Sequence, residues 1–191
     1  MELEAYAKEN HVPIMDPLGM EFVQQMIRLK EPVRILEIGT AIGYSAIQMA
    51  YSNPDVHITT IERDEDRYNE ARRNIARAQL EKRITIIQGD ALEVSDTVKV
   101  HGPFDMLFID AAKGQYQRFF ETYKPMLEDN GFILSDNVLF KGYVANHSAD
   151  GSNTAKIASK IRSYNDWLLA HPQFKTTIMP IGDGIALSVK R

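Results

Sequence analysis

Four residues of this 191-residue chain have the types and spacing to do chemistry at one point: Asp110, Lys113, Asp136 and Asn137. Phe104 to Asp110 and Gly131 to Asp136 are short apolar runs that each close on an acid. Runs of that length read as buried parallel strands, which puts both carboxylates on one edge of a sheet. Asp110, Asp136 and Asn137 supply oxygen donors only, a set that suits a hard cation, Mg2+ first, with Mn2+ or Ca2+ as alternatives. Two unpaired buried carboxylates would be costly, and a divalent ion removes the conflict. Lys113 lies three residues past Asp110, on the turn into the next helix, where it can serve as a base. Asp110 and Lys113 are therefore the catalytic candidates. The plainer alternative is two separate turns and a solvated lysine.

A second group of residues surrounds Arg34-Ile-Leu-Glu-Ile-Gly-Thr-Ala-Ile-Gly-Tyr-Ser45. Val33 to Ile38 is an apolar run that stops at Gly39, and an amphipathic pattern starts near Gly43. That order is strand, tight turn, helix, the first unit of a doubly wound sheet, whose ligands bind outside the carboxyl ends of the strands. A dinucleotide fingerprint needs further glycines where this chain has Ala41 and Tyr44. Gly39 and Gly43 thus favour close approach by a nucleoside rather than a diphosphate. Glu62 lies 23 positions beyond Gly39, at the end of the next strand, where a carboxylate can accept both hydroxyls of a ribose. Asp90 ends the third strand and falls at an adenine edge, or else caps a helix. Glu37, Gly39 and Asp110 complete the expected cofactor-binding set with Ser45, Glu62 and Asp90.

The elements that must position these groups follow in order. Glu2 to Glu9 reads as helix without a cap, as if continuing from upstream. Pro13 keeps residues 11–15 extended. Asp16 caps a helix with Pro17 in its first turn and Leu18, Phe22, Met26 and Leu29 at helical spacing. Strands are expected over 33–38, 56–62, 83–88, 104–110 and 131–136. Helices are expected from about Gly43, from Asp64 to about Leu80, over 91–100, over 116–127 and over 154–170. Residues 138–153 form a long irregular segment of the kind that covers binding sites. Lys175 to Ile181 and Ile185 to Lys190 flank Gly182-Asp-Gly184, a hairpin rather than another crossover. A terminal antiparallel hairpin after five β–α units is typical of class I methyltransferases that use S-adenosylmethionine, and it opposes a dehydrogenase. In such a site Ser45 could bond the carboxylate of the methionine moiety, or simply cap its helix.

Composition sets bounds. Hydrophobic content of 44% and charged content of 25% are those of one globular domain, taken as residues 1–191. The absence of Cys excludes disulfides, thiolate metal sites and a Cys nucleophile. No apolar run reaches the ~20 residues of a membrane span, and no signal peptide is evident, so a cytoplasmic protein is expected. The five histidines are scattered, and Trp167 reads as core. Formal charge is −6 over residues 1–98 and +2 over residues 99–191.

Glu37-Ile-Gly-Thr-Ala-Ile-Gly-Tyr-Ser45, Ile109-Asp-Ala-Ala-Lys-Gly-Gln-Tyr116 and Asp136-Asn-Val-Leu-Phe140 together resemble the cation-dependent O-methyltransferases, the catechol and caffeoyl-CoA enzymes among them. The resemblance implies an α/β, Rossmann-like doubly wound sheet of seven strands with a C-terminal antiparallel hairpin. It implies S-adenosylmethionine as methyl donor, Mg2+ held by Asp110, Asp136 and Asn137, Lys113 as base, and a homodimer. Relative to that family the chain starts late. Asp136-Asn-Val-Leu-Phe-Lys-Gly142 is most similar to bacterial tRNA 5-hydroxyuridine methyltransferases. That implies 5-hydroxyuridine of a tRNA anticodon loop as acceptor, with Lys141, Lys156, Lys160 and Arg162 as basic contacts. A small catechol or caffeoyl-CoA-like acceptor is the alternative.

Overall fold

The computed structural model describes residues 2–144 and 152–191. Its strands are β1 (Arg34–Ile38), β2 (His57–Glu62), β3 (Ile84–Gln88), β4 (Phe104–Ile109), β5 (Leu127–Ser135), β6 (Phe174–Met179) and β7 (Ile185–Lys190). They form one seven-stranded sheet in the order β3-β2-β1-β4-β5-β7-β6. β1 to β5 pair in parallel, and β7 enters antiparallel between β5 and β6. The carboxyl ends of the five parallel strands therefore share one edge, and the loops that carry the acids all leave from it.

The strands are apolar on both faces because helices cover both. Ile35, Met106, Phe108, Phe132 and Leu134 belong to one buried cluster, and Leu36, Ile38, Leu107, Ile109 and Ile133 to the other. This alternation along β1, β4 and β5 is the period-2 rule acting on a two-sided sheet. Each such side chain contributes about 1.5–3 kcal/mol of burial, which is what holds the central strands in register.

Helices α1 (Glu2–Glu9), α2 (Pro17–Lys30), α3 (Tyr44–Ser52), α4 (Glu65–Arg77), α5 (Ser95–Lys99), α6 (Tyr116–Tyr123) and α7 (Asn153–Leu169) complete the chain. Asp16 caps α2 by accepting from Leu18 and Gly19 N–H, and Asp64 caps α4 by accepting from Arg67 N–H. Four expectations need correction. The stretch 91–100 is helical only over Ser95–Lys99, because Asp90 accepts Leu92 N–H at 2.9 Å and turns the chain first. The 116–127 helix stops at Tyr123, where Pro125 tightens the next turn to 3-10 geometry. The fifth strand begins earlier, at Leu127, through an irregularity at the polar triplet Glu128-Asp-Asn130. In α2 the buried stripe is Met20, Val23 and Ile27, while Leu18 and Leu29 are exposed. Residues 145–151 of the irregular segment lie outside the described residues, as does the side chain of Lys141.

Candidate active site

A cavity of about 330 Å3 opens at the carboxyl edge of the sheet, over the ends of β1, β2, β3 and β4. At its β2–β3 end stand Glu62 and Asp90, and at its other end Asp110, Lys113 and Asn137. The spacing of acids along the chain thus becomes a row of groups along one edge.

The turn after β1 is shaped by contacts that spacing did not reveal. A Cβ on Gly39, whose φ is +104°, would lie 2.1 Å from the backbone oxygen of Asp110. The adjoining strand end thus requires glycine at position 39, which also lines the cavity. Ala41 has a left-handed φ of 46°, an uncommon state for a residue with a side chain. It is held there by its N–H, which Glu62 Oε2 accepts at 2.8 Å. The other Glu62 oxygen accepts Asp64 N–H at 2.9 Å. Both oxygens keep a lone pair for the cavity.

Glu37 does not line the cavity. It is fully buried beneath it and accepts bonds from Ser45 Oγ and Thr60 Oγ1, each at 2.5 Å. Thr60 is in turn paired with Thr40 at 2.6 Å. Burial pushes the Glu37 carboxyl up to about 7, opposed in part by the Ser45 and Thr60 hydroxyls. Ser45 does line the cavity, so Glu37 acts on the site by fixing that hydroxyl. Asp90 reaches the cavity wall and forms its turn, but it caps no helix: α5 begins after Val94, without a side-chain cap.

At the far end, Lys113 Nζ donates to Asn137 Oδ1 at 2.5 Å, and Asn137 Nδ2 donates to Asp136 Oδ2 at 3.1 Å. Asn137 adopts a left-handed φ of 57°, which turns its amide toward the lysine. Asp136 is buried behind it. Desolvation raises the Asp136 carboxyl above the usual range, and the charge of Asp110 adds to the rise. Desolvation raises Asp110 as well, against the pull of Lys113. One ammonium faces two carboxylates that repel each other. A dication would offset that excess, and the oxygen-only donor set fits a hard one. Among the described residues no group of three or more His, Cys, Asp and Glu gathers, so the amide of Asn137 would have to complete the set.

Backbone contacts hold this corner. Asp136 N–H donates to Ile109 O and Val138 N–H donates to Gly184 O in the terminal hairpin. Tyr116 OH donates to Asp136 O at 3.0 Å, and Asn165 Nδ2 donates to Val138 O at 2.8 Å. Residues 13–15, Tyr44, Arg63, Arg67 and Phe119 also line the cavity and were not singled out from the sequence. Pro13 signalled an extended segment, but nothing in the sequence said where it would lie. Tyr44 OH donates to Glu4 in α1 at 2.8 Å, which ties the N-terminal helix to α3 beside the cavity.

The O-methyltransferase family model matches residues 2–191. The chain belongs to the O-methyltransferase family. A catechol O-methyltransferase of Niastella koreensis is 33% identical over 183 residues, 92% of this chain and 81% of the relative. A Staphylococcus aureus structure, provisionally named a caffeoyl-CoA O-methyltransferase, superposes with a TM-score of 0.92 at 41% identity. It covers 99% of this chain and 90% of that one. An O-methyltransferase from Bacillus cereus, solved with S-adenosylhomocysteine, has a TM-score of 0.85 at 28% identity, covering 100% of this chain and 89% of that one. The family, the sheet and the enzyme class expected from the sequence, an S-adenosylmethionine-dependent O-methyltransferase, are those found.

Proposed function

We propose that this enzyme methylates a hydroxyl that has a second oxygen beside it, using S-adenosylmethionine and a divalent cation, Mg2+ first. Its acceptor on this reading is 5-hydroxyuridine in a tRNA anticodon loop, which becomes 5-methoxyuridine. The observation that carries the reading is that one cavity has Glu62 and Asp90 at one end and Asp110, Lys113 and Asn137 at the other.

Glu62 accepts the ribose hydroxyls through its remaining lone pairs, and Asp90 faces the adenine edge. Ser45, its hydroxyl fixed by Glu37, stands at the methionine end. S-adenosylmethionine supplies the methyl group. Asp110, Asp136 and Asn137 would hold the cation, whose charge makes a nearby hydroxyl more acidic. As the neutral amine Lys113 takes the acceptor proton at Nζ, and as the ammonium it orients the acceptor oxygen. The acceptor oxygen then bonds the methyl carbon as the carbon–sulfur bond breaks. Alignment is the main contribution of the protein, a factor that can reach about 7–11 kcal/mol in favourable cases.

For the acceptor, 5-hydroxyuridine presents its 5-hydroxyl and O4 as neighbouring oxygens. A base in a single-stranded loop can be splayed into a pocket. The half of the chain with the acceptor end carries +2 formally, and +4 without Asp110 and Asp136. Arg162 is less available than the sequence suggested, because its Nε and Nη2 both donate to Val144 O. Lys156 and Lys160 remain exposed. A cytoplasmic homodimer belongs to the same reading. The catechol and caffeoyl-CoA names of relatives favour a small acceptor as the second reading.

Methyl transfer from labelled S-adenosylmethionine to total tRNA, run beside a catechol panel, tests the acceptor. Label in tRNA that is lost in EDTA and restored by Mg2+ or Mn2+ is expected. Label in catechols alone would remove the tRNA acceptor, and full activity in chelator would remove the cation.

A further inference from the structure

We propose that Arg118 and Lys160 form a phosphate clamp that straddles the acceptor mouth and holds the RNA backbone on either side of the methylated nucleotide. The proposal rests on the tRNA reading above and adds to it the groups that grip the strand.

Both cations converge on the three-residue turn that carries Lys113. A Cβ on Gly114 would lie 3.3 Å from Lys160 Nζ, so the lysine of α7 lies across that turn in space glycine leaves open. From the other side, Arg118 in the first turn of α6 donates from Nη1 to Gln115 Oε1 at 3.1 Å. Gln115 and Lys113 both line the cavity. Arg118 and Lys160 are exposed, and so is Lys156, one turn before Lys160 on α7. Among the described residues none of these three is paired with a carboxylate. The nearest acid on α6, Glu121, already serves Lys124 and His171.

Exposed cations with no carboxylate partner beside a pocket are free to take an anion from outside. A nucleotide whose base enters the pocket leaves a phosphate on each side of the mouth, and phosphate contacts are what set register on a strand. Arg offers a planar fork to one phosphate and Lys a point charge to the other. Lys156 continues the track toward the next. Such contacts read backbone rather than sequence, which leaves base choice to the cavity.

The test compares wild type with R118A/K160A on an anticodon stem–loop RNA containing 5-hydroxyuridine and on the free nucleoside. Both positions are exposed, and an unchanged melting temperature checks the fold. KM for the RNA should rise about tenfold or more, with the loss on RNA exceeding that on the nucleoside by a similar factor. The slope of log KM against log salt should fall by about 1.4, since each phosphate contact on a single strand contributes about 0.7. Equal losses on RNA and nucleoside would mean that the pair merely braces the turn, and would overturn the clamp. Fluorescence anisotropy with an unmodified stem–loop separates the two ideas. Salt-dependent binding that needs both residues, without methylation, keeps the clamp and removes the acceptor. Binding that is absent in wild type, or that is the same in the variant, removes the clamp.

Discussion

Glu62 ends β2 and Glu37 lies on β1, the strand between β2 and the Asp110 strand β4, and each is a buried carboxylate, yet their surroundings give them different work. Glu62 takes one backbone N–H on each oxygen and remains open to the cavity. Glu37 takes two hydroxyls and is shut away. Its carboxyl titrates near 7 in the folded chain against an ordinary value of 4.5. From about pH 4.5 to 7 the folded state therefore keeps a proton that the unfolded state has lost, and stability falls as pH rises through that window. Above the window the cost is on the order of 3 kcal/mol. Glu37→Gln has the same shape and can exchange hydrogen bonds with Ser45 and Thr60 without titrating. Urea unfolding of both proteins at pH 5, 6, 7 and 8 should show wild type losing stability relative to the variant as pH rises. Parallel curves would mean that Glu37 titrates normally.

At the scale of elements, the decisive corner is where β5 leaves the sheet. Asp136 and Asn137 are aimed by contacts from α6, α7 and the β6–β7 hairpin, not by β5 alone. Asn165 is the clearest of these, because its Nδ2 holds Val138 O while, among the described residues, its own Oδ1 is buried without a partner. Asn165→Leu should leave Val138 O unpaired, at a cost of about 1–3 kcal/mol read by chemical denaturation. It should also weaken Mn2+ binding, titrated in the presence of S-adenosylhomocysteine, more than Leu168→Ala, a packing change on the same helix. Equal Mn2+ affinity in wild type and Asn165→Leu would mean that α7 does not position the donor pair. The strands and their terminal acids were legible in the sequence because each depends on a local pattern, an apolar run and the residue after it. Asn165, Tyr116 and Gly184 were not, since their importance arises only when distant segments meet. Gly39 was noticed for a good physical reason, close approach, but the sequence did not show that the chain just past β4 is one of the groups that approach it. The end of 116–127 was misplaced because amphipathic spacing continues past Pro125, where the backbone cannot.

For the molecule as a whole, the uneven charge acquires a location. The formal excess of the second half lies largely on α7, where Lys156, Lys160 and Arg162 stand against Asp166, near the corner where Lys113, Asp110 and Asn137 meet, while the acid-rich first half surrounds the nucleoside end. A neutral catechol has no use for cations at the mouth, whereas an RNA loop brings phosphates there with every base it inserts. The seven-stranded sheet is common to both readings, and so is the chemistry at Lys113. The surround separates RNA from a neutral catechol, while a CoA ester would bring phosphates of its own. The cellular consequence follows from conservation of atoms. If the acceptor is 5-hydroxyuridine, removing the enzyme blocks methylation without blocking the hydroxylation that precedes it. Mass spectrometry of nucleosides from tRNA of deletion cells should then show 5-hydroxyuridine accumulating and 5-methoxyuridine falling, and the plasmid-borne gene should restore the ratio. A Lys113→Ala copy should fail to restore it while accumulating as folded protein. If the methoxy nucleoside persists at its normal level, with no second enzyme producing it, the acceptor is not this nucleoside and the cations at the mouth serve another anion.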